Sequence, residues 1–247
     1  MGQAGERRII AVDDADALAR TAAERLLARM AANSDRISIC LTGGSGPVKL
    51  YELLVTNDYR ARVPWTRVHW FIGDERFVRP SDPLNNMSVA CRIFLNACAP
   101  VENIHPIPTE AASPSESAAR YERELKAFYG AASLDPARPL FDLVLMGVGP
   151  DGHTASLFPG DAGLAESERW VVGVPRANVE PFVPRVTLTL PALASCGEML
   201  FQIAGSAKRA ILTRLLANEN LPANRARSAG ETIWLADRAA LPEDFRG

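Results

Sequence analysis

The sequence predicts an α/β protein with one open, mostly parallel, Rossmann-like sheet and helices on both faces. Short apolar runs alternate with helical patterns along most of the chain, which is typical of a parallel sheet covered by helices. The run FDLVLM at 141–146 is almost entirely apolar, which favours a central strand buried on both faces. Repeats and low-complexity tracts are missing, and the Pro- and Ser-containing stretch 106–115 has the character of a connection. We therefore expect residues 1–247 to form a single domain.

Each element is predicted from its own pattern. Seven apolar runs have the length and composition of strands, at residues 7–12, 36–41, 67–72, 141–146, 170–174, 198–204 and 232–237. The first helix is expected to begin at Asp13 or Asp14 as N-cap, because apolar residues follow at helical spacing: Leu18, Ala22, Leu26 and Met30. Four further helices are expected at 48–54, 85–97, 115–129 and 206–218.

Composition limits the possible partners. The formal net charge is −2, so no global field favours nucleic acid or an anionic membrane, and an anionic ligand would need local cations. The four cysteines, Cys40, Cys91, Cys98 and Cys196, form no C-x-x-C pair and are expected to be reduced thiols. The N-terminal residues lack the apolar segment of a signal peptide, and no apolar run reaches the length of a membrane span. These features predict a cytoplasmic protein.

Ligands of open α/β sheets bind beyond the carboxyl ends of the strands, so the residues that follow each strand are the candidates for a binding site. After the second strand comes the segment TGGSG, with Gly43, Gly44, Ser45 and Gly46 ahead of a helix. Glycines let backbone N–H groups approach an oxyanion, and the Ser45 hydroxyl could add a contact. A simple tight turn explains the segment equally well, so both interpretations remain open.

The third strand ends in Gly73, Asp74, Glu75 and Arg76. Charges at the end of a buried strand are costly unless they are paired or used. They could belong to a site, or they could form an internal Arg–carboxylate cluster that ties down the loop. The sequence does not separate the two.

A glycine-rich turn, GVGPDGH at 147–153, follows the most apolar strand. It matches G-x-G-x-x-G formally, but Pro159 and Gly160 stop any following helix early and no acidic residue ends the next strand, so we exclude a dinucleotide site. What remains is a turn that carries Asp151, Gly152 and His153 to the ligand-binding edge. His153 is the natural general base, because histidine titrates nearest neutrality. The other histidines differ: His69 lies inside a strand and His105 lies in a loop.

Cations follow the later strands. Lys208 lies in the segment GSAK at the start of a helix, where a positive charge opposes the helix dipole unless it meets an anion. A solvent-exposed lysine is the simpler alternative. Arg185 precedes the alternating VTLTL and is a weaker candidate of the same kind. The chain lacks paired metal-ligand motifs and a G-x-S-x-G elbow, so a metal centre and a serine hydrolase are not expected.

In this order, the segments resemble the 6-phosphogluconolactonases, which share a fold group with the glucosamine-6-phosphate deaminases. The matching pieces are LTGGSGPVKLYELL, VHWFIGDERFV, FDLVLMGVGPDGHTASLFPG, RVTLTL and the turn from Gly205 to Lys208, and they span about residues 8 to 237. GPDGHTASLFPG is the most specific piece. Two positions depart from the family pattern: Gly46 stands where a Thr is usual, and Asn85 where a Ser is usual.

The resemblance implies hydrolysis of 6-phospho-D-glucono-1,5-lactone in the pentose phosphate pathway, with no cofactor and no metal. It implies His153 as general base, oriented by Asp151 or Asp74, and Arg76 or Lys208 as the cation that stabilises the oxyanion. The residues expected to hold the phosphate and shape the site are Gly43, Gly44, Ser45, Gly46, Gly152, Arg185 and Lys208. The expected partner is the small phosphosugar lactone, with no nucleic acid or membrane, and the protein is expected to be a monomer or a homodimer.

Two rival functions remain. The first is the isomerase and deaminase chemistry of the sister family, whose Asp-Gly-His turn is followed by an Asn-Glu-Pro segment. Phe158 takes the place of that Glu here, which argues against the deaminase reaction. The second is a non-catalytic phosphosugar sensor. A sensor would normally carry a DNA-binding module, and the chain has no spare length for one.

Overall fold

The computed structural model describes residues 7–246. The strands in this range are β1 (Arg7–Val12), β2 (Ile37–Leu41), β3 (Val68–Ile72), β4 (Asp74–Arg76), β5 (Phe141–Met146), β6 (Val171–Val174), β7 (Arg185–Leu188), β8 (Cys196–Ile203) and β9 (Glu231–Asp237). The α-helices are α1 (Ala15–Ala32), α2 (Val48–Leu54), α3 (Asn57–Arg60), α4 (Asn86–Ala90), α5 (Asn96–Cys98), α6 (Pro114–Tyr129), α7 (Leu190–Ala194), α8 (Arg209–Leu216) and α9 (Pro222–Arg225).

Six strands form a parallel sheet in the order β1-β9-β8-β5-β2-β3, which confirms the predicted fold class. The strands β2, β5 and β8 at its centre are almost wholly buried, as the apolar run at 141–146 predicts. Because all six strands run the same way, their carboxyl ends meet at one edge of the sheet. The glycine-rich segments after β2 and β5 therefore become neighbours.

A second, three-stranded antiparallel sheet in the order β4-β7-β6 was not foreseen. The strand expected at 170–174 exists, but it belongs to this sheet and not to the parallel one. The sequence pattern did not identify β4 as a strand, because its three residues are all charged. In the β4–β7 register, Arg76 lies directly opposite Arg185. The small sheet thus joins two arginines that are far apart in sequence.

The helices follow the predicted patterns with local differences. Asp14, one of the two predicted caps, accepts a hydrogen bond from the Ala17 amide at 2.7 Å, and α1 buries its apolar stripe against the sheet. The helix expected at 85–97 is interrupted by a π-helical turn between α4 and α5. The one expected at 206–218 opens with a 3₁₀ turn, and α8 begins only after Lys208.

Charged groups at the starting edge of the parallel sheet are paired with one another. Glu198, at the start of β8, accepts hydrogen bonds from Arg25 at 2.5 Å and Arg29 at 2.8 Å, and Arg25 also reaches Glu231 at 2.7 Å. We call these four residues the paired edge. No helix within 7–246 has both the length and the apolar character needed to cross a membrane.

Candidate active site

A cleft of about 280 Å³ opens at the carboxyl ends of the parallel strands. It lies between the segment after β2, the turn after β5, the small antiparallel sheet and the end of β8. Its polar side chains are those of Thr42, Ser45, Asp74, Arg76, Asn86, His153, Arg185, Gln202 and Lys208, and glycines 43, 44, 46, 147 and 149 also line it. Most of the residues predicted from the sequence therefore come together in one place.

Residues 43–46, which we call the glycine loop, form one wall of the cleft. The Tyr51 hydroxyl makes hydrogen bonds with both backbone groups of Thr42. It donates to the Thr42 oxygen at 2.7 Å and accepts from the Thr42 amide at 3.2 Å, which fixes the start of the loop. Gly44, Ser45 and Gly46 are exposed to the cleft, and none of their amides donates to another residue in 7–246. The loop thus presents unused N–H donors to an anion.

The turn after β5, residues 147–153, brings His153 to the cleft. The His153 carbonyl accepts from the Gly149 amide at 2.8 Å, and Gly152 turns the chain with a φ of +88°. The imidazole lies so close over Gly149 that a Cβ there would be 2.0 Å from the ring. Gly152 itself does not line the cleft, and it acts by shaping this turn. We call residues 147–153 the histidine turn.

Asp151 lies beside His153 and behind the cleft wall. One of its carboxylate oxygens is 2.5 Å from His153 Nδ1 and also accepts from the His153 amide at 3.1 Å. Partial burial acts to raise the pKa of Asp151, but the hydrogen bond and charge of His153 outweigh it and the pKa is lowered. The carboxylate is therefore ionised and holds the imidazole with Nε2 left for a ligand. Of the two carboxylates considered from the sequence, Asp151 is the one in contact with His153.

Asp74 is held separately. Its Oδ2 accepts a hydrogen bond from Ser156 Oγ at 2.6 Å, and its side chain is almost fully buried at the cleft wall. The adjacent Glu75 turns away from the cleft and accepts from the amides of Arg76, Asn86 and Met87 at 2.6–2.9 Å. Burial raises the pKa of Glu75 to about 7 in spite of these bonds. The Arg–carboxylate cluster considered as an alternative does not form within 7–246: Asp74 and Arg76 line the cleft, and Glu75 ties down the loop through backbone amides.

Three cations line the cleft, and each is anchored by backbone carbonyls. Arg76 donates to the Leu84 oxygen at 2.9 Å, Arg185 to the Pro181 oxygen at 2.9 Å, and Lys208 to the Val148 oxygen at 2.7 Å. None of them has a carboxylate within 4.0 Å among the described residues.

Burial lowers the pKa of Lys208 and of Arg185, because a charged side chain loses solvation there. Both cations would regain favourable interactions with a bound anion. The positive charge of the cleft is therefore positioned by the fold but left available.

Four polar side chains at the site were missed from the sequence: Thr42, Asn86, Ser156 and Gln202. The Asn86 side chain donates to the Asp74 backbone oxygen at 3.0 Å and packs under Gly43. The Ser156 hydroxyl donates to the Asp74 carboxylate, and Gln202 lies near the end of β8. Thr42 and Ser156 stand inside matching segments and Asn86 follows the departing Asn85, so their positions could have suggested a role. Gln202 gives no such signal, because it is one residue of an apolar strand pattern.

Comparison with known proteins identifies the family. Residues 13–234 match the family model described as glucosamine-6-phosphate isomerases/6-phosphogluconolactonase. The chain belongs to this family. A family member named 6-phosphogluconolactonase from Nostoc sp. is 38% identical over 84% of this chain and 85% of that protein. Another with the same name, from Thermotoga maritima, is 35% identical over 89% of this chain and 90% of that protein.

Solved structures of the family share the fold. The crystal structure of 6-phosphogluconolactonase from Thermotoga maritima has a TM-score of 0.80 and 29% identity, covering 94% of this chain and 100% of that one. The 6-phosphogluconolactonase from Trypanosoma cruzi has a TM-score of 0.82 and 26% identity, covering 97% of both. A monomeric glucosamine-6-phosphate deaminase, at 18% identity and a TM-score of 0.79, shows the fold alone.

Proposed function

We propose that this protein hydrolyses 6-phospho-D-glucono-1,5-lactone to 6-phosphogluconate, as a cytoplasmic enzyme of the pentose phosphate pathway. The observation that carries the proposal is the Asp151–His153 pair at a cleft whose three cations have no carboxylate partner within 7–246. Relatives with 33–38% identity that are named 6-phosphogluconolactonase support the choice of substrate. A base and preorganised cations are what the hydrolysis of an anionic lactone requires.

In the proposed mechanism, His153 Nε2 takes a proton from a water molecule as that water attacks the lactone carbonyl carbon. The new carbon–oxygen bond gives a tetrahedral oxyanion. Collapse of this intermediate breaks the bond to the ring oxygen, which receives the proton from His153, and 6-phosphogluconate leaves. Asp151 stabilises the imidazolium during the cycle and keeps Nδ1 protonated, since it is 2.5 Å from that nitrogen. No metal or other cofactor takes part in this scheme.

The cations divide between the two anionic groups. We assign the phosphate to Lys208 and Arg185 together with the unused amides of the glycine loop, all of which line the same cleft. Arg76 offsets the charge of the oxyanion, and Asp74, fixed by Ser156, accepts hydrogen bonds from the sugar hydroxyls.

The sister deaminase reaction needs further proton transfers, and Phe158 argues against it. The Phe158 ring is fully buried, with its centroid 4.9 Å from that of His153. A phenyl ring can neither accept nor donate a proton in catalysis. Moving a proton between neighbouring carbons of an aminosugar requires additional acid–base groups. The same ring excludes bulk water from one side of the imidazole.

The test is the hydrolysis of freshly prepared 6-phosphogluconolactone, corrected for spontaneous opening. We expect enzyme-dependent acid release that persists in the presence of a metal chelator. A parallel incubation with glucosamine 6-phosphate should release no ammonia and no fructose 6-phosphate. Steady release of both at enzyme-like rates would assign the deaminase chemistry instead, and binding without turnover of either compound would assign a sensor.

A further inference from the structure

Gln202 has a side-chain amide without a hydrogen-bond partner among residues 7–246. The residue is 4% exposed, and both Nε2 and Oε1 are buried without a donor or an acceptor. Such burial costs free energy, because water would satisfy both atoms in the unfolded chain. Unpaired buried polar groups are few in folded proteins, and each calls for an explanation.

The position of Gln202 points to the cleft, which it lines near the carboxyl end of β8. Its neighbour Phe201 pairs with Met146, the last residue of β5. The next residue after β5 is Gly147, so no side chain from that strand fills the space beside Gln202. The glycine loop also approaches this residue, because a Cβ at Gly46 would lie 3.9 Å from the Gln202 backbone oxygen. Gln202 therefore lies under the glycine loop, at the end of the cleft that also contains Lys208.

The chemistry of an amide is suited to a phosphorylated sugar. The NH₂ group donates and the carbonyl oxygen accepts. Phosphate ester oxygens only accept hydrogen bonds, and sugar hydroxyls can donate them. A ligand that carries both groups can satisfy both amide atoms, whereas an apolar residue at this position would satisfy neither group of the ligand.

We propose that Gln202 is a ligand-binding residue at the phosphate end of the cleft, with Nε2 donating to a phosphate oxygen and Oε1 accepting from a ligand hydroxyl. The identity of the ligand rests on the proposed function. Both amide atoms are covered in the unliganded protein, so the contact forms together with a local shift of the residues that cover them. The unpaired amide lowers the stability of the unliganded protein, and ligand binding relieves this cost.

The main test compares the wild-type protein with Gln202→Leu, which removes the amide and keeps a similar volume. The probe is 6-phosphogluconate, and binding is measured by calorimetry. We expect the Kd of Gln202→Leu to rise about tenfold to a hundredfold, as for a lost hydrogen bond to a charged group. Gln202→Glu should bind more weakly still, because a carboxylate repels the phosphate. The loss should be smaller with gluconate, which has no phosphate.

A matched control separates binding from stability. Thr109 also has a buried hydroxyl without a partner in the described part of the chain, and it does not line the cleft. Thr109→Val and Gln202→Leu should both leave the melting temperature of the unliganded protein equal or higher. Only Gln202→Leu should change the Kd. A lower melting temperature for Gln202→Leu with an unchanged Kd would make the amide a structural group and overturn the proposal.

A second measurement does not depend on the folding of any variant. In ¹⁵N–¹H spectra of the wild-type protein, the Gln202 side-chain amide signals should shift on addition of 6-phosphogluconate. Unshifted signals at saturation would overturn the proposal. The outcome is independent of turnover: failure to hydrolyse the lactone would overturn the proposed function alone. Normal hydrolysis with an unchanged Kd and KM in Gln202→Leu would overturn the Gln202 assignment alone.

Discussion

Charged side chains are arranged in opposite ways at the amino-terminal and the carboxyl-terminal edge of the parallel sheet. At the paired edge, Glu198 is 2% exposed and is held between two arginines. At the cleft edge, Arg76, Arg185 and Lys208 are bonded to backbone carbonyls, which fix their position without neutralising them. The strand β8 runs from one edge to the other, with Glu198 near its start and Gln202 near its end.

The difference shows that the partners of a charged side chain indicate whether it serves the fold or a ligand. An ion pair that is complete within the protein destabilises the fold when one partner is removed, and it offers no free charge to a ligand. A buried cation whose only partners are carbonyls retains its capacity for an anion. We therefore expect substitutions at the paired edge to change unfolding, and substitutions at the cleft edge to change turnover or binding.

The largest expected effect is at the cleft edge. His153→Ala should lower kcat on the phosphorylated lactone by about a hundredfold or more, because it removes the proposed general base. The unfolding midpoint and 6-phosphogluconate binding should stay close to wild type. His105→Gln is the control, since His105 does not line the cleft. Near-normal turnover by folded His153→Ala would exclude His153 as the base.

At the paired edge, Glu198→Gln should lower the free energy of unfolding by about 3 kcal/mol, because two arginines lose their shared buried partner. Urea unfolding measures this loss. Activity per folded molecule should be unchanged. Glu24→Gln, which breaks an exposed pair with Arg62, should have little effect on unfolding. A loss of turnover in folded Glu198→Gln would contradict the separation of the two edges.

Lys208→Ala should reduce kcat/KM for the phosphorylated lactone. The loss of transition-state stabilisation should be roughly 1.5–3 kcal/mol, as expected for a lost charge-assisted hydrogen bond. Unphosphorylated gluconolactone should be affected much less. Lys49→Ala is a suitable control, because Lys49 is exposed and pairs with Asp16 outside the cleft. Equal losses with both lactones would mean that Lys208 serves the chemistry or the fold and not the phosphate.

The smallest effect concerns His69 at the start of β3, whose ring stacks on His105. Burial, and then the nearby His105 and Arg36, lower the pKa of His69 to about 4. In the unfolded chain, His69 binds its proton at about pH 6.5. The stability that comes from keeping the ring neutral in the folded protein is therefore complete above that pH and is lost as pH falls toward 4.

His69→Phe should therefore lose less stability than wild type between about pH 7 and 4.5. The difference should stay below about 1 kcal/mol, because the ring is partly solvated. Melting curves at the two pH values measure it. Identical pH dependence in both proteins would contradict the assignment.

The parallel sheet could be predicted from the sequence because its strands are apolar runs set between helical patterns. The strands of the small sheet could not all be found this way. β4 consists of three charged residues, and its pairing with β7 is set by tertiary contacts. In the site, His153, Lys208 and the glycine loop were visible because each follows a strand. Gln202 was hidden within an apolar strand, where only three-dimensional packing distinguishes a cleft-lining residue from a core residue.

The close contacts at Gly43 and Gly149 have a consequence for mutational scanning. A side chain at Gly43 would start 2.0 Å from Asn86 Oδ1, and one at Gly149 would start 2.0 Å from the His153 ring. Even alanine at either position must displace a cleft residue. In a scan for activity, we expect both positions to be as intolerant as His153, the proposed general base, although neither glycine takes part in the proposed proton transfer. Intolerance to substitution would here report the space that a neighbouring side chain occupies.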